Sequence, residues 1–176
     1  MNKPPSFWKW LFCKNGERRA GIQVFVDRWL ILHVLVGLLA SLFLDNCIVD
    51  SAKNIIIPFV GILAGITFAW SGNITALLTT AELDELSKYH QEGITGYVFS
   101  VQRAILVILV ALILWVLVGL SVISNFFWRF VIFSVSSIAI RESWGVIMFA
   151  QMLTIYRERV AKAIKEKNLK SKKSDS

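Results

Sequence analysis

Arg141 and Glu142 stand side by side inside an apolar run over residues 126–155. A charge held at membrane depth is costly, so such a pair must face protein or water rather than hydrocarbon. Neighbouring positions on a helix point about 100° apart, which keeps the two from satisfying one another and directs each to a different helix. Two chemistries follow. The pair can lock a bundle through buried salt bridges. Alternatively, repeated around an axis, it can line a water-filled path, where rings of charged side chains set ion selectivity. Ser134, Ser136, Ser137, Ser143 and Gln151 add polar atoms to the same run.

Nothing else in the sequence makes a catalytic set. There is no G-x-S-x-G, no H-E-x-x-H, no glycine-rich phosphate loop and no Cys/His cluster. No enzymatic activity, metal or cofactor is expected. His33 reads as a hydrogen-bonded packing residue, and His90 with Glu92 does not make a metal site. Cys13 and Cys47 are expected on opposite sides of a membrane, so no disulfide is expected within one chain.

The elements that must position these residues are four apolar stretches, at 29–44, 55–78, 104–123 and 126–155. A helix needs about 20 apolar residues to cross a bilayer core. The chain is 56% hydrophobic and only 18% charged, and such long uninterrupted runs exclude a soluble domain. The expected fold class is all-α: an integral membrane four-helix protein with N and C termini cytoplasmic and the fourth helix extending into the cytosol. Residues 1–28 form a basic, aromatic lead-in, 29–156 the four-span domain, and 157–176 a basic helix and tail.

The charge distribution supports that topology. The net charge of +7 is concentrated in the two ends, while the connections at 45–54 and 79–103 are net acidic. Lys and Arg beside membrane spans stay in the cytoplasm, and acidic residues weigh little. Both ends are therefore expected inside, with 45–54 and 124–128 outside. The basic lead before Trp29 is too long for a cleavable signal peptide. Its Phe7, Trp8, Trp10, Leu11 and Phe12, set among Lys3, Lys9 and Lys14, suit a headgroup zone or a lid at the cytosolic mouth.

Along the second span, Gly61, Gly65, Ala69 and Asn73 recur every four residues, with Ser71 nearby. Small residues at this step let helices approach closely in lipid. They predict a packing face within the chain, or an oligomer seam or pore wall. Pro58 is expected in the first helical turn, where its missing N–H does no harm. Thr79 and Glu82 read as a capping box of a short cytosolic helix, ended by Gly93 and Gly96. The third span, nearly all Leu, Ile and Val, is expected to face lipid. The short link to the fourth span makes the two antiparallel neighbours. The fourth helix is expected to run on to about residue 167, with Leu153, Tyr156, Val160 and Ile164 as an apolar stripe whose simplest partner is another copy.

Arg18, Arg19, Arg157, Arg159 and Lys162 would converge, in an oligomer, into a positive vestibule able to hold a nucleotide or a short single-stranded nucleic acid, through contacts dominated by phosphate charge. The pore-lining set would be Arg141, Glu142, Asn73, Ser71 and Gln151. Competing readings are a non-conducting membrane subunit that anchors a cytosolic partner, and a holin-like pore.

The size, the four spans, the stretch FAWSGN at 68–73, the polar fourth span and the basic ends resemble the small membrane effectors of bacterial anti-phage defence systems, in particular the Hailong type. In that type a nucleotidyltransferase makes a single-stranded DNA product that keeps an oligomeric channel shut. The resemblance implies a homo-oligomeric, multi-pass ion channel of the bacterial inner membrane. It further implies gating by an anionic nucleic-acid ligand and a nucleotidyltransferase encoded nearby.

Overall fold

The computed structural model describes residues 6–13, 21–44, 48–78, 94–123 and 125–174. Every regular element among them is helical. α1 (Phe7–Phe12) is followed by a 3₁₀ turn (Gly21–Phe25) and by α2 (Arg28–Phe43). α3 (Ile48–Ser51), a π turn (Ala52–Ile56) and α4 (Ile57–Leu78) form one continuous helical rod. α5 (Ile94–Gly119) and α6 (Phe126–Ser174) complete the chain. The 79–82 capping box, Arg18, Arg19, Cys47, His90 and Glu92 lie outside the described residues.

Three helical stretches are long and apolar enough to cross a membrane: Ile48–Leu77, Thr95–Gly119 and Phe126–Lys165. α2 is equally apolar but only 16 residues long, about 24 Å at helical rise. These lengths define the class: an all-helical membrane protein.

α2 begins where Asp27 caps it. The Asp27 carboxylate accepts from the backbone N–H groups of Trp29 and Leu30 at 2.9 and 3.2 Å, which satisfies two of the helix's orphan donors. Ser121, two residues past the end of α5, closes that helix with a left-handed φ of 59°. Val122 N–H reaches the Leu117 carbonyl and Ser121 N–H the Val118 carbonyl. This six-to-one and five-to-two pairing is a Schellman ending made with serine where glycine is usual.

α6 is the spine. α2 packs on it, while α4 and α5 pack on it and on one another. One core joins Ile48, Val60, Ala64, Ile108, Trp115, Val118 and Ile132. A second, nearer the end where α2 begins, joins Ile74, Leu77, Val101, Ala104, Val146 and Leu153. Trp115 is fully buried, and its indole N–H donates to Ser136 Oγ at 2.7 Å.

Four expectations are corrected here. The third span does not stand apart in lipid: α5 supplies Ala104, Ile108, Ala111, Trp115 and Val118 to the core, each at most 1% exposed. It is apolar all round, and the neighbours on α4 and α6 decide which side is inward. Gly96 does not break a helix; it lies inside α5, where its carbonyl accepts from Ser100 Oγ. Pro58 is not in a first turn, because the rod begins at Ile48. The helix passes Pro58 directly after the π turn, a wider winding that suits the disturbed ladder at a proline. Half of the stripe on α6 is satisfied within its own chain, since Leu153 is buried and Tyr156 packs against the second core. Of that stripe, Ile164 is half exposed, and the helix continues to Ser174.

The close helix approach also falls elsewhere than the glycine spacing on α4 suggested. At Gly61 and Gly65 an added methyl group would meet nothing within 4 Å. At Gly37 on α2 it would collide with the Ser134 side chain and come within 2.9 Å of the Phe130 carbonyl oxygen. His33, Gly37 and Ser41, four residues apart, are the buried face of α2. His33 Nδ1 lies 2.8 Å from Ser137 Oγ on α6, the packing role expected of it.

Candidate functional site

Arg141 and Glu142 leave α6 in different directions, as their spacing requires. Arg141 reaches the start of α2, and its Nη2 lies 2.8 Å from Asp27 Oδ2. Its guanidinium also sits 5.8 Å from the centre of the Trp29 ring. Glu142 turns to α5, where Arg103 Nη2 donates to its Oε2 at 3.1 Å. Arg103 donates as well to the Gly21 carbonyl at 3.4 Å and covers the Phe25 ring at 5.2 Å.

Two guanidiniums therefore strap the segment from Gly21 to Trp29 across the bundle. Each combines hydrogen bonding to this segment with one cation–π contact. α1 closes the far end of this strap. Trp10 and Leu11 are buried, Trp10 and Phe7 pack on Phe99 of α5, and the Trp10 ring lies against Gly21 so closely that no side chain fits there. Trp8 and Phe12 stack on one another on the exposed side.

The two ion pairs differ in burial. Side chains of the Arg103–Glu142 pair are 12% and 10% exposed, and those of Arg141–Asp27 are 32% and 33% exposed. The hydrogen bond from Arg141 holds the Asp27 carboxyl below its ordinary value of 3.8. Desolvation opposes this, while the Arg141 charge and the Trp29 and Leu30 N–H groups reinforce it.

A cavity of about 380 Å³ opens beside these pairs, with Arg103, Arg141, Glu142, Ser100 and Trp144 on its wall. A second, of about 280 Å³, lies across Arg103 and is lined by apolar side chains of α1, the 3₁₀ turn, α5 and α6.

Within one protomer the residues expected to line a pore between copies lie at different places. Arg141 and Glu142 share the ion-paired level, whereas Asn73, Ser71 and Gln151 do not line the cavity there. Asn73 and Gln151 are exposed and Ser71 is half-buried. Gly61, Gly65 and Ala69 are exposed on the outer face of α4. Arg157, Arg159 and Lys162 are exposed on the α6 extension. Sequence reading missed Asp27 and Arg103 as partners. Both carry a signal: Arg103 directly precedes an apolar run and Asp27 stands two residues before one, where an interfacial anchor or a cap belongs.

The chain matches no family model, no curated protein and no solved structure. Among the described residues no group of His, Cys, Asp and Glu could hold a metal ion.

Proposed function

We propose that this protein is an oligomeric ion channel, a depolarising effector of the bacterial inner membrane, gated by a cytosolic anionic ligand in anti-phage defence. In this reading α2 crosses the membrane as well, giving four spans in all, the two termini are cytoplasmic, and the ion-paired level lies at the inner boundary of the membrane. The large apolar side chains exposed along α2, α4 and α6 then face lipid or another copy.

One observation carries the reading. The protomer packs Val60, Ala64, Thr67, Ile74 and Leu77 of α4 inward and leaves the small-residue face of Gly61, Gly65, Ala69 and Asn73 uncovered. Small faces of this kind close by helix–helix contact in lipid. A ring of copies joined there brings the α6 extensions together, and Arg157, Arg159 and Lys162 of each copy supply a concentrated positive charge for a nucleotide or a short single-stranded nucleic acid. A nucleotidyltransferase encoded nearby would supply such a ligand.

Planar-bilayer recordings of the purified protein, with and without short single-stranded DNA, test this. The expected result is discrete current that changes when DNA is added on the side of the basic extensions. Current no different from lipid alone rejects the channel.

A second reading, a non-conducting membrane anchor for a cytosolic partner, has its own support. Asp27, Arg103, Arg141 and Glu142 neutralise one another within a single protomer, so that level carries no unspent charge for a selectivity ring. Silent bilayers together with co-purification of a cytosolic partner favour this alternative.

A further inference from the structure

The cavity beside the ion pairs has a distinct chemistry. Its wall combines two guanidiniums, Arg103 and Arg141, with the Glu142 carboxylate. Both ion pairs leave valences unused. Asp27 takes hydrogen bonds from Nη1 and Nη2 of Arg141, and a guanidinium carries five N–H donors. Arg103 donates from Nε and Nη2 to the same Glu142 oxygen, Oε2. Glu142 Oε1 accepts no hydrogen bond from any described residue, although its side chain is only 10% exposed. A simple anion meets unused donors on Arg141 but is repelled by that oxygen. A simple cation meets the reverse. A zwitterion with a phosphate and a primary ammonium satisfies both.

The surroundings point to a lipid. Asp27 marks the level at which α2 begins, and Arg103 directly precedes an apolar stretch of α5 with no charge. Trp144, on the cavity wall, and Trp29, against Arg141, are 63% and 56% exposed, as tryptophans at a headgroup boundary are. Gly145, also on the wall, lies within the 49-residue α6. A glycine there costs the helix about 1 kcal/mol relative to alanine. No neighbour requires it, since an added methyl group would meet nothing within 4 Å. What its missing side chain preserves is the space of the cavity, whose size is in the range of small-ligand sites.

We infer that this cavity binds the headgroup of an ethanolamine phospholipid, with the phosphodiester on Arg141 and the ammonium on Glu142 Oε1. The lipid holds the strapped N-terminal segment against α5 and α6, whether or not the assembly conducts.

The test uses the full-length protein in detergent, incubated with phosphatidylethanolamine, phosphatidylcholine or phosphatidylglycerol of matched acyl chains. Retained lipid is read by native mass spectrometry. The ethanolamine lipid should be retained at least about tenfold better than the choline lipid, whose ammonium has no N–H to donate to the carboxylate. Gly145→Leu fills the cavity without touching a charge and should cut that retention about tenfold while helix content stays unchanged. Ser100→Leu fills it from α5 and provides the same reading if Gly145→Leu does not fold. Glu142→Gln should abolish the preference for ethanolamine over choline. Equal retention of the three lipids by the wild type overturns the assignment. So does undiminished ethanolamine-lipid binding by the cavity-filling variants. Thermal stabilisation by soluble phosphoethanolamine equal to that by the lipid assigns the site to a free headgroup and overturns the lipid.

Discussion

Arg103 and Glu142 face one another between α5 and α6 at 3.1 Å, nearly enclosed, while the neighbouring Arg141–Asp27 pair stays one-third exposed. Burial decides their energetic weight. A buried pair that loses one partner leaves an uncompensated charge, at a cost of about 3–5 kcal/mol. An exposed pair, screened by solvent, contributes little.

Arg103→Leu should therefore lower thermal stability more than Arg141→Leu, by roughly 2 kcal/mol or more. Thermal unfolding in detergent, followed by circular dichroism, gives the ranking. Equal losses for the two variants would show that burial does not separate them. Arg141→Leu should still insert into the membrane, and in the channel reading it alters unitary current or oligomer size. Unchanged current and unchanged size count against a role for Arg141 in the conducting assembly.

The glycines give a contrast. Gly37→Leu drives a side chain into Ser134 and the Phe130 backbone and should cost about 1–3 kcal/mol through overpacking, freeing α2 from α6. Gly61→Leu and Gly65→Leu meet open space within the protomer and should leave protomer folding intact. If the uncovered α4 face is the seam between copies, they shift the assembly to smaller species. Light scattering of the detergent-solubilised protein measures this. Wild-type size in both α4 variants removes that face from the interface.

Acid should loosen the strap within a defined window. The folded-state carboxyl of Asp27 titrates below its ordinary value of 3.8, so its stabilising contribution is complete above that pH. It is lost as the pH falls through the lower, folded-state value. Asp27→Asn should remove this acid limb and leave stability near neutral pH slightly reduced, since the amide still caps α2. Unfolding midpoints between about pH 2 and 7 test this. An acid limb that persists unchanged in Asp27→Asn assigns it to another carboxylate.

The α6 extension carries the ligand prediction. Reversing Arg157 and Arg159 to glutamate should weaken retention of a short single-stranded DNA, and the wild-type binding should fall steeply with added salt. Fluorescence anisotropy across a salt series checks both. Equal retention by wild type and variant rejects this surface as the regulator's site.

Much of the architecture was legible before any coordinates. Long apolar runs of the length a membrane helix needs dictated an all-helical membrane protein, and the adjacency of Arg141 and Glu142 dictated that they diverge. These are properties of one helix, fixed by rise and rotation per residue. Which helix each charge meets is a property of pairs of helices, and it depends on their relative rotation and level. Hence Asp27 and Arg103, visible only as charges beside apolar runs, emerged as partners when α2 and α5 were set against α6. From Ala104 onward α5 offers apolar side chains all round, so that stretch carries no mark of its buried side. The close approach at Gly37, rather than at Gly61 and Gly65, was likewise decided by packing. Small residues permit contact wherever they occur, and only the tertiary structure selects which permission is used.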